Sequence, residues 1–292
     1  MRGSDGAAVG PTPNGPGSGE HASGQRIRFA NPRRLAQVDS TNRYLRDAAL
    51  EGGPEGLVVV ADEQVDGRGR RARSWVAPSG SALLCSILFR PRFPPDSVHL
   101  LPTIVGLAAL DALGRLAGGD LGLKWPNDLV AGEEKLGGIL GEIVAGGGDA
   151  VGPAVVVGLG INLAWPPGWP PEGPVADALA QATTVERLTG VRVDRDELAA
   201  GLIAGVERRY PPLISARGRA AAIEEYRDRC TTISRTVRVE LDGSTVEGVA
   251  RDIAADGRLV VECADGSLPS FDAGDVVHLR GAPTPDRPRR AD

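Results

Sequence analysis

At Cys230 the hydrophobic texture of the chain changes, and no other feature limits the possible fold as much. Before it, LVVVADE (57–63) and ALLCSILFRP (82–91) are short continuous apolar runs, as in strands covered on both faces. Residues 97–117, SVHLLPTIVGLAALDALGRLA, are apolar on most sides, as a helix buried against a sheet would be. LGLKW, KLGGILGEIV and AVVVGLGINL are three further strand candidates, and helices are expected over 194–210 and 218–229. After Cys230, TVRVEL, STVEGVARDI, RLVVEC and DVVHLR alternate between DG or ADG turns, the pattern of a small β-barrel. The expected class is α+β: a mixed β-sheet flanked by helices over 26–230, then a barrel over 231–282.

Residues 1–25 and 283–292 are expected to be disordered tails, the first being rich in Gly, Pro and Ser without apolar periodicity. In VDSTNRYLRDAALEGG, Ser40 or Thr41 is placed to cap a helix that carries Tyr44, Leu45, Ala48 and Ala49 on one face and stops at Gly52 and Gly53. WPPGWPPEGPVADALAQ (165–181) reads as a long loop of the kind that often carries function.

Composition narrows the chemistry. A net charge of −5 argues against a general nucleic-acid coat, and neither a secretory signal nor a run of about eighteen apolar residues is evident. A cytoplasmic protein without a membrane partner is expected. Cys85, Cys230 and Cys263 lack metal-ligand spacing and are expected to be reduced thiols. His21, His99 and His278 sit in no motif, which disfavours a histidine triad or a zinc site.

What remains is a set of cations. Lys124 and Lys135 are the only lysines, and every other basic side chain is arginine. A position kept as lysine against that bias calls for a compact ammonium rather than a planar fork. Lys124 opens KWPND, whose Pro126, Asn127 and Asp128 make a turn; Asp128 is a candidate magnesium ligand. Lys135 opens KLGG, where Gly137 and Gly138 let a ligand approach the backbone. DGRGRRARSW (66–75) gathers Arg68, Arg70, Arg71 and Arg73 around two glycines. It matches the dinucleotide fingerprint only formally, because no apolar helix follows. Alone it reads as readily as a solvated basic loop suited to RNA. Trp75, Trp125, Trp165 and Trp169 offer faces for an adenine ring or for ordinary packing.

Taken together, DSTN (39–42), DEQVDGRGRRARSW (62–75), KWPNDLV with KLGGILGE (124–142) and VVVGLGINL (155–163) resemble, in order, the signature stretches of the biotin protein ligases, which share a catalytic fold with lipoate ligases. The resemblance covers residues 38–280 and implies a mixed sheet with an SH3-like barrel behind it. It implies a ligase that uses ATP, biotin and Mg2+, without DNA-binding activity, and modifies a biotin carboxyl carrier domain of acyl-CoA carboxylase-type enzymes. Carried over by residue, Ser40, Thr41, Asn42 and Gln64 would contact biotin's fused rings. Arg68, Gly69 and Arg70 would close over its carboxylate and the adenylate phosphate, with Gly138 beside them. Arg71 and Arg73 would guide ATP phosphates, Trp75 would stack on adenine, and Asn162 would reach it. Lys135 would hold the biotin carboxylate and bridging phosphate oxygens. Lys124 would meet departing pyrophosphate, while Asn127 and Asp128 would arrange phosphate and magnesium. Trp165 and Trp169 would help cover the adenylate. Ala72, where many members have glycine, is expected to stiffen the loop. Two rivals stand beside this reading: a lipoate or octanoate ligase of the same fold, and a non-enzymatic, arginine-rich RNA-binding protein.

Overall fold

The computed structural model describes residues 29–146, 153–241, 243–272 and 274–279; the expected tails lie outside the described residues. Seven strands form the larger sheet: β1 (Arg33–Val38), β2 (Val58–Gln64), β3 (Ala82–Phe89), β4 (Leu121–Lys124), β5 (Asp128–Ala131), β6 (Glu134–Val144) and β7 (Ala154–Asn162). Their order is β1-β2-β3-β7-β6-β5-β4, with β1 and β2 parallel and every other neighbour antiparallel. Every residue of β3 is buried, because the strand is central and covered on both faces. That explains its unbroken apolar run.

α1 (Thr41–Leu50) packs on one face, where Leu45 and Ala49 meet Val59, Leu88 and Val156. α2 (Leu100–Leu116), α5 (Arg195–Arg209) and α6 (Ala216–Arg229) lie together against the other face. α2 buries Leu101, Ile104, Leu107, Leu110 and Leu113 almost completely, each contributing about 1.5–3 kcal/mol of burial. Pro95–Leu116 is the one described helical stretch long and apolar enough to cross a membrane, and much of its surface is packed inside this core.

A second, five-stranded antiparallel sheet follows: β8 (Thr236–Leu241), β9 (Ser244–Ile253), β10 (Leu259–Glu262), β11 (Ser270–Phe271) and β12 (Asp275–His278), ordered β11-β10-β9-β8-β12. Its inward residues Val237, Val239, Ala250, Ile253 and Val261 join the same apolar cluster as α2 and α6. Trp125 Nε1 donates to Gly257 O at 3.0 Å and Arg227 Nε to Ile253 O at 2.8 Å, so the two units are docked through named bonds.

Several expectations change. The exposed stretch RRLAQV is a strand, β1, and DLVA after the KWPND turn is another, β5. The 165–181 segment contains a short helix, α3 (Pro174–Ala178), and α4 (Val185–Thr189) follows, capped by Thr184 Oγ1 and stopped by Gly190 in the left-handed region. Ser40 occupies the N-cap position of α1, but its side chain makes no capping bond.

Candidate active site

Strand register places Lys124 opposite Asp128, Asp128 opposite Gly138, Gly138 opposite Gly160, and Gly160 opposite Leu84. One row therefore runs from the first lysine motif through the second and across the VGLGIN strand. Gly138, Gly158 and Gly160 remove three side chains from neighbouring positions, and other groups occupy the space. A Cβ on Gly158 would lie 2.1 Å from Asn42 Oδ1; one on Gly160 would lie 2.6 Å from Trp75 Cε2. At Gly138 it would be 3.3 Å from Trp75 Cζ3 and 3.6 Å from Lys135 Nζ. Trp75 thus packs on a glycine floor, and the Lys135 ammonium approaches the same floor at Gly138.

The DSTN turn closes one end. Ser86 shares its single hydroxyl proton between Thr41 Oγ1 and Asn42 Oδ1, each at 2.7 Å. Thr41 donates through its amide and hydroxyl to Gln64 Oε1 at 2.8 and 3.0 Å. Asn42 Nδ2 donates to Leu140 O at 3.2 Å and Glu142 Oε2 at 2.7 Å. Both amide protons of Asn42 are therefore taken within the protein, and the side chain seats the turn. The Ser40 hydroxyl and the Gln64 amide nitrogen make no hydrogen bond among the described residues, so they are the donors open to a polar ligand.

The arginine loop is a small hairpin rather than a loose solvated segment. Trp75 N donates to Gly67 O at 2.8 Å, Arg68 bridges Ser74, and Gly69 N donates to Arg73 O at 2.7 Å. At the tip, Arg71 and Ala72 both adopt left-handed φ, 52° and 59°, a conformation that a glycine takes without strain. All four arginines have partners within the protein. Arg68 pairs with Glu142 Oε1 at 3.1 Å, and Arg70 Nη1 donates to Asn127 Oδ1 at 3.2 Å. Arg71 and Arg73, expected to guide ATP phosphates, both reach Asp275 on β12; Arg71 also meets Glu240 O at 3.3 Å. Burial pushes the Arg70 guanidinium pKa below its ordinary value, opposed by Asp275 and Asp128.

Lys135 Nζ pairs with Asp128 Oδ1 at 2.7 Å. Lys124 has no ion-pair partner within reach among the described residues; burial lowers its pKa, and Asp128 and Glu133 oppose that shift. Asn127 Nδ2 donates to Ile139 O at 2.8 Å, which orients its oxygen toward Arg70. Beneath the turn, Thr103, Lys124, Asn127, Asp128 and Tyr226 line a small cavity. Asn162 Nδ2 donates to Thr183 O at 3.1 Å, and Lys135 brackets that segment through its backbone: its N–H donates to Gln181 O at 2.6 Å and its carbonyl accepts from Thr183 N at 2.9 Å. The proline-rich segment is thereby pinned to the lysine strand. Its Trp169 Nε1 is buried without a partner.

No group of three His, Cys, Asp or Glu comes together among the described residues. Asp128 is the carboxylate at the turn. One carboxylate suits a magnesium ion that takes most of its oxygens from nucleotide phosphates and water.

Sequence reasoning missed Ser86, Glu142 and Asp275, and marked the glycines of AVVVGLGINL as points of close approach without giving Gly158 or Gly160 a role in the site. Ser86 is the one hydroxyl in the run ALLCSILF, and the alternating glycines of VGLGIN were a visible sign of close approach. Asp275 carries no local signal.

An apolar floor, a cluster of cations and a polar turn define a carboxylate-activating ligase site. Residues 35–162 match the Biotin/lipoate A/B protein ligase family, and residues 232–279 match the Biotin protein ligase C terminal domain. The chain is 36% identical to the biotin--[acetyl-CoA-carboxylase] ligase of Mycobacterium tuberculosis, over 84% of this chain and 88% of that protein. It is 32% identical to the Escherichia coli bifunctional ligase/repressor BirA, over 85% and 74%. The Aquifex aeolicus biotin protein ligase, solved with biotin and ATP, superposes with a TM-score of 0.71 at 25% identity, covering 87% of this chain and all of that one. This chain belongs to the biotin protein ligase family, and its five-stranded C-terminal sheet is the SH3-like unit of that fold.

Proposed function

We propose that this chain activates biotin with ATP as biotinyl-5'-AMP and passes the biotinyl group to a lysine of a biotin carboxyl carrier domain. The observation that carries the proposal is the convergence of Lys135, the Arg70–Asn127 pair and Trp75 on the glycine floor beside the DSTN turn.

In the first half-reaction a biotin carboxylate oxygen attacks the α-phosphorus of ATP, and the bond to the bridging oxygen breaks to release pyrophosphate. Two anions must meet, so fixed positive charge at the point of contact lowers the barrier. Lys135 supplies it beside the floor, and Arg70, oriented by Asn127, supplies it from the hairpin. Lys124, held across the strand pair from Asp128, faces the leaving group. The Ser40 hydroxyl and the Gln64 amide receive the ureido end of biotin. Holding the reactants in line contributes on the order of 7–11 kcal/mol in well-oriented reactions. Magnesium, held by Asp128 and the nucleotide phosphates, would add charge neutralisation. In the second half-reaction the carrier's ε-amine attacks the acyl carbon, the carbon–oxygen bond breaks, and AMP leaves. The hairpin and the proline-rich segment exclude water from the mixed anhydride meanwhile. A reducing cytoplasm suits the free thiols Cys85, Cys230 and Cys263.

The arginine hairpin weighs against the RNA-binding alternative, since all four guanidinium groups are engaged with other parts of the protein. Pyrophosphate exchange into ATP, measured with biotin, lipoate or no acid, tests the reading. Exchange with biotin alone supports it. Exchange with lipoate moves the substrate, and none with any acid from folded protein leaves only the fold.

A further inference from the structure

Glu142 sits on β6, four residues beyond the glycine of the floor, and no motif-based role falls on it. Its two oxygens have different partners. Oε2 accepts from Asn42 Nδ2 at 2.7 Å, and Oε1 faces Arg68 Nη1 at 3.1 Å. Asn42 is buried, and its amide presents two protons; Leu140 O takes one and Glu142 the other. Without Glu142 a buried donor would be left unpaired, which a surface ion pair alone would not entail. On the other side, Arg68 lies in the hairpin arm between Gly67, bonded to Trp75, and Gly69, bonded to Arg73. The same carboxylate therefore touches both structures that enclose the glycine floor.

A second set of bonds ties the roots of the same two structures. Arg43 on α1 pairs with Asp39 in the turn and Asp66 before the hairpin, while Asp66 N donates to Asp39 O at 2.9 Å. These fix where the hairpin begins. Glu142 fixes how its arm lies.

We infer that Glu142 is a positioning residue of the ligase site, setting the arginine hairpin against the DSTN turn so that both close on the acid being activated. The inference rests on the ligase reading above. Substituting Glu142→Gln is the informative change: glutamine can still accept from Asn42 through its carbonyl oxygen, but then turns an N–H toward Arg68. Folding should be spared while the hairpin loses its tie.

The test compares wild type, Glu142→Gln, Arg68→Gln and the double variant in biotin-dependent pyrophosphate exchange, adenylate release and thermal unfolding. Expected for Glu142→Gln are a three- to tenfold higher KM for biotin and a similarly faster release of biotinyl-AMP, with exchange at saturating biotin within twofold and unfolding unchanged. The double variant should be no worse than Arg68→Gln alone, because the tie that Glu142 makes is already lost there. Unchanged KM and release in Glu142→Gln, or single effects that multiply in the double variant, would overturn the inference. A lowered unfolding temperature with no change in the KM-to-kcat split would do so too, marking the residue as structural. Wild type without biotin-dependent exchange would instead remove the ligase reading itself.

Discussion

Lys135 Nζ lies 2.7 Å from Asp128 Oδ1, although register pairs Asp128 with Gly138, three residues along β6. The lysine side chain reaches along its own strand to put its charge over the floor. A pair this exposed contributes about 0–1 kcal/mol, so substrate oxygens can recruit the ammonium at little cost. Lys135→Ala should lower biotin-dependent exchange by about 10²–10³, the usual loss for one charge-stabilising donor, with little change in unfolding temperature. Lys135→Arg should not restore activity, because a planar fork cannot occupy the same point. A collapse of stability in Lys135→Ala would make the residue structural.

Arg70 is held inward by its bond to Asn127. Arg70→Gly should let biotinyl-AMP escape, read as labelling of lysines on a bystander protein, and Asn127→Ala should do the same more weakly. Adenylate retained by both variants as by wild type would count against a clamp at this position.

The glycine floor makes a graded prediction. Gly160→Ala puts a methyl within 2.6 Å of the Trp75 ring and should displace the indole, costing about 1–3 kcal/mol and raising the KM for ATP. Gly158→Ala meets Asn42 Oδ1 at 2.1 Å, where the side chain is bonded on both sides and cannot yield. It should lower the unfolding temperature further. Equal effects of the two would show that Trp75 is as fixed as Asn42.

His278, on β12, faces Glu133, Thr232, Lys124 and Arg235. Burial, then the Lys124 charge, pushes its pKa below the ordinary histidine value, against Glu133. The unfolded chain therefore binds the proton first as pH falls. Stability should decline as pH drops through the ordinary histidine range and level off below the folded value. His278→Gln should flatten that slope in urea titrations between pH 7 and 5, which are about the bounds of the histidine range. An unaltered slope would assign it to other groups.

The parts legible in the sequence were those with local causes. β3 and α2 announce themselves because burial on both sides demands unbroken apolar runs. The four motifs meet in space because each sits at a strand end or turn that the sheet order brings together. β1 was hidden because RRLAQV is mostly exposed and is a strand through its parallel bonds to β2, not through burial. β5 was hidden by its length of four residues beside a turn. The structural duty of Asn42 was not legible because its partners Ser86, Leu140 and Glu142 lie on strands far away in sequence. The stiffness expected of Ala72 has a physical basis in its left-handed backbone, which the sequence alone does not locate.

The partnership of Arg71 and Arg73 with Asp275 spans about two hundred residues of chain, with Arg71 and Asp275 separated by 204 positions. During synthesis the hairpin emerges long before its anchor exists. A polypeptide halted ahead of β12 would already contain both lysines, the turn and the floor, yet would lack the carboxylate that Arg71 and Arg73 share at the hairpin tip. A strand made late in synthesis thus completes a hairpin made early, and the hairpin has its full set of ties only once β12 is in place.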